Sequence, residues 1–120
     1  MVPPLTSPHL LIGKTGEEIA EEYLRRKKFV ILGKNIRTFR GEIDLIARKG
    51  GSIVFVEVKA RTRDDGWQPS ERVDGEKLKK LKRAASNWLE GQEMEGVPAR
   101  IDVVGVCNEE VVEHFEDVTA

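Results

Sequence analysis

The sequence predicts an α/β or α+β domain in which helices cover a single sheet, and three observations lead there. Two segments carry apolar residues at helical spacing, and five others carry them as alternating or short continuous runs. The order along the chain is helix, three strands, helix, two strands, which a layered sheet-and-helix domain accommodates. The length, 120 residues, suits one domain with a single core. We place that domain at residues 13–120. Residues 1–12 read as a flexible N-terminal arm: the stretch MVPPLTSPHL has three prolines and lacks the basic start and apolar core of a secretory signal.

Each element has a local reason. Residues 15–28 read as the first helix. Thr15 and Glu18 fit a capping box, the basic run from Arg25 to Lys28 suits the negative end of the helix dipole, and Ile19, Ala20, Tyr23 and Leu24 form the apolar stripe. Residues 29–37 read as the first strand. Residues 42–48 and 52–60 read as a hairpin turning at Gly50-Gly51. Residues 61–72 are a loop with Gly66 and Pro69. Asp74 can cap a second helix that runs to about Glu90 on a stripe of Leu78, Leu81, Ala85 and Trp88. After a loop at 91–98, residues 101–106 and 111–115 read as two strands joined at Asn108.

Composition narrows the function classes. At 39% hydrophobic and 34% charged the chain reads as globular, and it contains no run of about 18 apolar residues that would span a membrane. Cys107 is the only cysteine, which excludes an internal disulfide and a cysteine-based zinc site and fits a reducing cytoplasm. The net charge of -1 hides a split: residues 21–83 hold 18 Lys and Arg against 10 Asp and Glu, whereas residues 84–120 hold one Arg against 9 acids. A basic body suits an anionic partner, unless folding interleaves the two halves into a neutral surface.

The most informative stretch is 41–63, GEIDLIARKGGSIVFVEVKARTR. Its second apolar run is broken by Glu57 and followed by Lys59, and a charge placed there costs several kcal/mol unless it is paired or binds an ion. A hairpin turning symmetrically about Gly50-Gly51 sets Asp44 opposite Glu57 and Glu42 opposite Lys59, with Glu57 and Lys59 on one face. Two opposed carboxylates repel, and a divalent cation between them removes the penalty. Mg²⁺ takes one or two carboxylates, keeps several waters and contacts phosphate. A lysine beside it can activate water or stabilise developing charge. The plainer alternative is that the acids end a strand and pair with Lys59 or Arg61. On the first helix Glu17 flanks the buried stripe and can look towards the sheet, or simply favours the helix dipole, whereas Glu18 has the capping role.

With those residues in place, the chain resembles the YraN family of small bacterial proteins, predicted endonucleases similar to Holliday junction resolvases of the PD-(D/E)xK nuclease superfamily. The resemblance rests on Gly16-Glu17-Glu18-Ile19-Ala20 with Tyr23-Leu24, on Asn35 and Arg37 followed by Gly41-Glu42-Ile43-Asp44-Leu45-Ile46-Ala47, on Val54-Phe55-Val56-Glu57-Val58-Lys59 with Arg61, on Pro69, Val73, Lys77 and Leu81, and on Arg100-Ile101-Asp102-Val103-Val104. Gly66-Trp67 departs from the aromatic-then-glycine order usual before the proline, and Ile101 stands where phenylalanine is common. The resemblance implies a mixed central β-sheet flanked by helices, restriction-endonuclease-like. It implies Mg²⁺ or Mn²⁺ held by Asp44, Glu57 and the main-chain carbonyl of Val58, Glu17 joining through water, and Lys59 as the catalytic lysine. The implied partner is DNA, including branched forms, and relatives of this kind often act as homodimers.

The remaining residues divide between binding and structure. Lys77 and Lys80, with Lys79, Lys82 and Arg83, make the second helix basic enough to track phosphates, although a solvated helix face reads the same way. Arg61 and Arg63 leave the Glu57–Lys59 strand and can hold DNA beside the site. Trp67 either stacks on a base or packs over the core. Trp88 belongs to the core, Cys107 reads as a buried small hydrophobe, and His114 reads as solvated or structural. Asp102 either pairs with Arg100 or lies near the site. The sequence thus points to a metal-dependent endonuclease-like domain. The alternative is a nucleic-acid-binding or scaffold protein on a nuclease fold with little turnover.

Overall fold

The computed structural model describes residues 14–61 and 75–119. The N-terminal arm, Arg63, Trp67, Pro69, Val73 and the expected cap Asp74 lie outside the described residues.

Helix α1 (Gly16–Arg26) begins on the expected capping box. Thr15 Oγ1 accepts the Glu18 N–H at 3.1 Å and Glu18 Oε1 accepts the Thr15 N–H at 2.8 Å. It stops two residues before the expected end. Lys28 turns to φ 72°, the Lys28 N–H reaches the carbonyl of Arg25, and the Phe29 N–H reaches that of Leu24, both at 3.0 Å. That is a Schellman closure, and Phe29, buried just beyond it, fixes the exit.

Five strands follow in the sheet order β1-β2-β3-β4-β5. Strand β1 (Val30–Thr38) pairs antiparallel with β2 (Gly41–Lys49), with a register shift between Ile31 and Gly33. Strand β2 turns at Gly50, φ 61°, into antiparallel β3 (Ser52–Arg61). Strand β3 lies parallel to β4 (Ala99–Cys107), and helix α2 (Gly75–Gly91) falls between them in sequence, as a parallel pair requires. Strand β5 (Glu110–Phe115) returns antiparallel after a two-residue turn in which Asn108 and Glu109 both have positive φ, 52° and 65°. The sheet is therefore mixed, with one helix on each face, a compact α/β fold consistent with a restriction-endonuclease-like arrangement.

Two cores form, one on each side of the sheet. Helix α1 supplies Ala20 and Leu24 to a cluster with Phe29, Leu45, Val54, Val56, Val104 and Val106. Helix α2 supplies Leu81, Ala84 and Ala85 to a second cluster with Ile43, Ile46, Phe55 and Ile101. Alternate residues of β3 thus enter opposite cores, which explains why its sequence is apolar nearly throughout instead of alternating. Trp88 packs in the second cluster, edge-on to Phe55 at 5.8 Å between ring centroids, and Cys107 is buried, as their residue types suggested.

Helix α1 meets the far end of β3 very closely. A Cβ built on Gly16 would sit 2.5 Å from Ala60 Cβ. Only glycine lets the helix start there, and the helix start is what carries Glu17. Gly16→Ala is expected to destabilise the protein by about 1–3 kcal/mol through overpacking, read by chemical denaturation. An unchanged midpoint would show that this contact does not set the position of α1.

Candidate functional site

The candidate site lies where β2 and β3 part. Their register follows the expected symmetry about Gly50-Gly51 from Lys49↔Ser52 to Leu45↔Val56, where the paired ladder ends. Beyond it β2 is paired with β1 alone, so Asp44 and Glu57 are not the ladder pair the turn symmetry suggested. The physical reason is a side chain in a backbone role: Asp44 Oδ2 accepts the Val58 N–H at 2.8 Å. Glu42 likewise does not oppose Lys59. It pairs across the other ladder with Arg37, their charged groups 3.7 Å apart.

The parting leaves a cleft of about 490 Å³ lined by Arg40, Gly41, Glu42, Asp44, Glu57, Lys77, Lys80 and Leu81. Glu57 is buried at 6% exposure, yet Lys59 Nζ and Lys77 Nζ both lie 3.2 Å from its Oε2. Asp44 is half-buried. Burial pushes its carboxyl up to about 6; the Val58 N–H opposes the rise, the charges of Glu57 and Glu17 add to it, and the Lys77 charge opposes it. Glu17, in the first turn of α1, is thus near enough for its charge to act on Asp44. Because a strand residue directs its N–H and carbonyl to the same neighbour, the Val58 carbonyl also faces the β2 side, where the ladder has ended.

Three of the residues singled out from the sequence, Asp44, Glu57 and Lys59, are therefore brought together, and Glu17 acts on Asp44 through its charge. Lys80 lines the same cleft and Lys77 reaches into it, so Lys77 is an ion-pair partner of a site acid as well as part of a basic helix. Arg61 is placed differently. It ends β3, its carbonyl accepts the Asn108 N–H at 3.2 Å, and it lines a separate depression with Lys14, Gly16 and Glu109. Arg63 is outside the described residues. Arg40, which lines the cleft from the β1–β2 turn, was not singled out from sequence, since one arginine in a turn carries no periodic signal.

A second polar cluster lies on the α1 side. Asp102 is fully buried and accepts from Arg100 Nε (2.9 Å) and Nη2 (3.3 Å), His114 Nε2 (2.8 Å) and the Asp117 N–H (2.9 Å). His114 Nδ1 lies 2.9 Å from the Tyr23 hydroxyl. With Nε2–H donating to the carboxylate, Nδ1 is left facing the Tyr23 hydroxyl as its hydrogen-bond partner. Burial raises the Asp102 carboxyl, but the His114, Asp117 and Arg100 hydrogen bonds outweigh it and the net direction is downward. Glu116 lies close enough to Asp102 and His114 to share an ion with them, but the Asp102 carboxylate is already committed to four donors. The cluster reads as a fastening of β4, β5, α1 and the C-terminal segment, and it settles the Asp102 alternatives for the Arg100 pairing.

The fold and the site define the chain as a small mixed-sheet α/β protein of restriction-endonuclease-like arrangement, with an acid-and-lysine cleft at a strand parting. Residues 16–106 match the model of the uncharacterised protein family UPF0102, and the chain belongs to that family. A UPF0102 protein of Pseudothermotoga lettingae is 44% identical over 88% of this chain and 95% of its own length. One of Syntrophotalea carbinolica is 40% identical over 92% and 93%, and one of Geotalea uraniireducens 38% over 88% and 87%. None of the described helices is long and apolar enough to cross a membrane.

Two stability measurements check this description. Asp44 has a raised carboxyl, so its contribution is fully present below its ordinary value of 3.8 and is lost as pH rises through about 6. Metal-free Asp44→Asn is therefore expected to gain stability over wild type at pH 7.5, with the gain shrinking by pH 4.5. Denaturation at both pH values reads it, and a gain that grows on acidification contradicts the raised carboxyl. Asp102→Ala strands Arg100 and His114 and is expected to cost about 3–5 kcal/mol, read as a lowered denaturation midpoint at neutral pH.

Proposed function

We propose that this protein is a metal-dependent endonuclease that hydrolyses DNA phosphodiester bonds, branched or recombination structures among its substrates. The observation that carries the reading is Glu57: a buried carboxylate holding two lysine ammonium groups on one oxygen, beside a half-buried Asp44 whose carboxyl is raised.

The donors fit a hard divalent cation. Asp44 and Glu57 offer carboxylate oxygens, the Val58 carbonyl faces the same gap, and one Asp44 oxygen is oriented by the Val58 N–H. The lysines supply the positive charge that the acids require without an ion. Asp44, Glu57 and the Val58 carbonyl would hold Mg²⁺ or Mn²⁺, and Glu17 would join through water. The ion would supply Lewis acidity towards a phosphoryl oxygen.

The chain's own groups do the rest. Lys59, on the strand that carries Glu57, holds or deprotonates the attacking water and stabilises charge on the phosphate as it develops. Lys77 and Lys80 hold neighbouring phosphates at the lip of the cleft, and Arg61, from its separate depression at the end of β3, adds a further phosphate contact. The reading also makes the protein cytoplasmic, where DNA is its partner, and leaves room for a homodimer.

The decisive comparison is wild type against Lys59→Ala on branched and linear DNA, with Mg²⁺ or Mn²⁺ and with chelator. Cleavage by wild type alone, metal-dependent and reduced about a hundredfold or more by the substitution, is the expected outcome. Binding by both proteins with cleavage by neither would favour the nucleic-acid-binding scaffold, a reading that the basic face of α2 supports.

A further inference from the structure

The β1–β2 turn presents an aromatic ring to solvent beside the cleft. Phe39 is 98% exposed, the most exposed large apolar residue among those described. The turn that carries it is held at several points. Thr38 Oγ1 donates to the Gly41 carbonyl at 2.8 Å and accepts the Arg40 N–H at 3.0 Å, and the Phe39 N–H donates to Asn87 Oδ1 of α2 at 3.0 Å. Gly41 closes the turn at φ 139°, a conformation that disfavours a side chain. The ring is thus mounted on a turn docked to the basic helix.

Its surroundings hold more cations than acids: Arg37, Arg40, Lys82 and Arg83 against Glu42 and Glu90. Arg37 and Arg40 flank it in sequence, and Arg37 is 84% exposed at its side chain. Arg40 lines the candidate cleft on one side and, on the other, a depression of about 360 Å³ with Lys82, Arg83, Asn87 and one acid, Glu90. Phe39 itself borders a further hollow of about 480 Å³ with Arg37, Asn87 and Trp88. An exposed ring near two arginines, on a turn docked to a lysine-bearing helix, is a combination that can bind a nucleic acid by its bases as well as its phosphates: rings stack on any base face and cations hold the backbone.

We propose that Phe39 is a base-stacking element, which takes an unpaired base of DNA while Arg40, Lys82 and Arg83 hold the adjoining phosphates. Asp44 follows Phe39 by five residues, of which the first two belong to the turn, so the two are at most roughly 17 Å apart, or about five base pairs of duplex. The preferred substrate is therefore a duplex whose pairing is interrupted within about five base pairs of the bond that is cut. The position of the cut rests on the nuclease reading, whereas the stacking does not.

Binding measured in chelator separates the two. The probes are a duplex with a single unpaired 2-aminopurine and the fully paired duplex of the same sequence. Wild type is expected to bind the interrupted duplex more tightly and to change the fluorescence of the unpaired base. Phe39→Ala, at an exposed position and with an unchanged melting temperature, is expected to bind the interrupted duplex about tenfold more weakly, to lose the fluorescence change and to keep its affinity for the paired duplex. Phe39→Trp is expected to retain both. Equal binding of the interrupted duplex by wild type and Phe39→Ala overturns the proposal, as does an equal loss on both duplexes or no binding by wild type. With Mg²⁺ added, absence of cleavage alongside Phe39-dependent binding sinks the nuclease reading and leaves the stacking intact.

Discussion

One hydrogen bond sets the geometry on which the site depends: the carboxylate of Asp44 takes the amide of Val58. In a continuous hairpin that amide would belong to the backbone ladder. Giving it to a side chain satisfies the donor and lets the strands separate without leaving a buried N–H unpaired. The gap is then lined by the side chains of Asp44, Glu57, Lys77 and Lys80. The same bond fixes the Asp44 carboxyl in the position where burial and its acidic neighbours raise it. A stability cost and a binding opportunity therefore have one origin.

The rest of the fold holds that gap in place. The β2–β3 hairpin is sealed at its closed end by Gly50-Gly51 and clamped between two cores. Helix α1 is pinned by its capping box and by the Gly16–Ala60 approach, which brings Glu17 towards the acids. Helix α2, connecting β3 to β4, is the only described element that can bring Lys77 over Glu57 from outside the hairpin. Acids thus come from the meander and helix α1, while Lys77 comes from the crossover.

The sequence made much of this legible where the signal was periodic or local. The capping box at Thr15 and Glu18, the stripes of both helices and the hairpin register up to Leu45 all follow from spacing. The register stopped being legible at Asp44, because a side chain replacing a backbone acceptor leaves no trace in alternation. Lys77 read as one cation in a basic run, since only the crossover shows which member of the run meets Glu57. Tyr23, His114 and Asp102 are far apart in sequence and meet only through the folded sheet. The early end of α1 came from Lys28 adopting positive φ, a conformation that a lysine does not announce.

The strand order has an electrostatic consequence. Strand β1, with Lys34 and Arg37, forms one edge of the sheet, and β5, with Glu110 and Glu113, forms the other; Lys34 meets Glu21, Arg37 meets Glu42, and Lys14 and Arg26 line a depression with Glu109 and Glu110. The Asp102 fastening ties the C-terminal acids to the β4–β5 side. Among the described residues the two edge strands thus carry opposite signs, which these neighbours offset in part. A polyanion's field favours an alignment with the β1 edge forward over one with the β5 edge forward. Salt weakens that alignment over distances of about 8–10 Å, so capture becomes less well oriented as ionic strength rises even where the contacts finally made are the same.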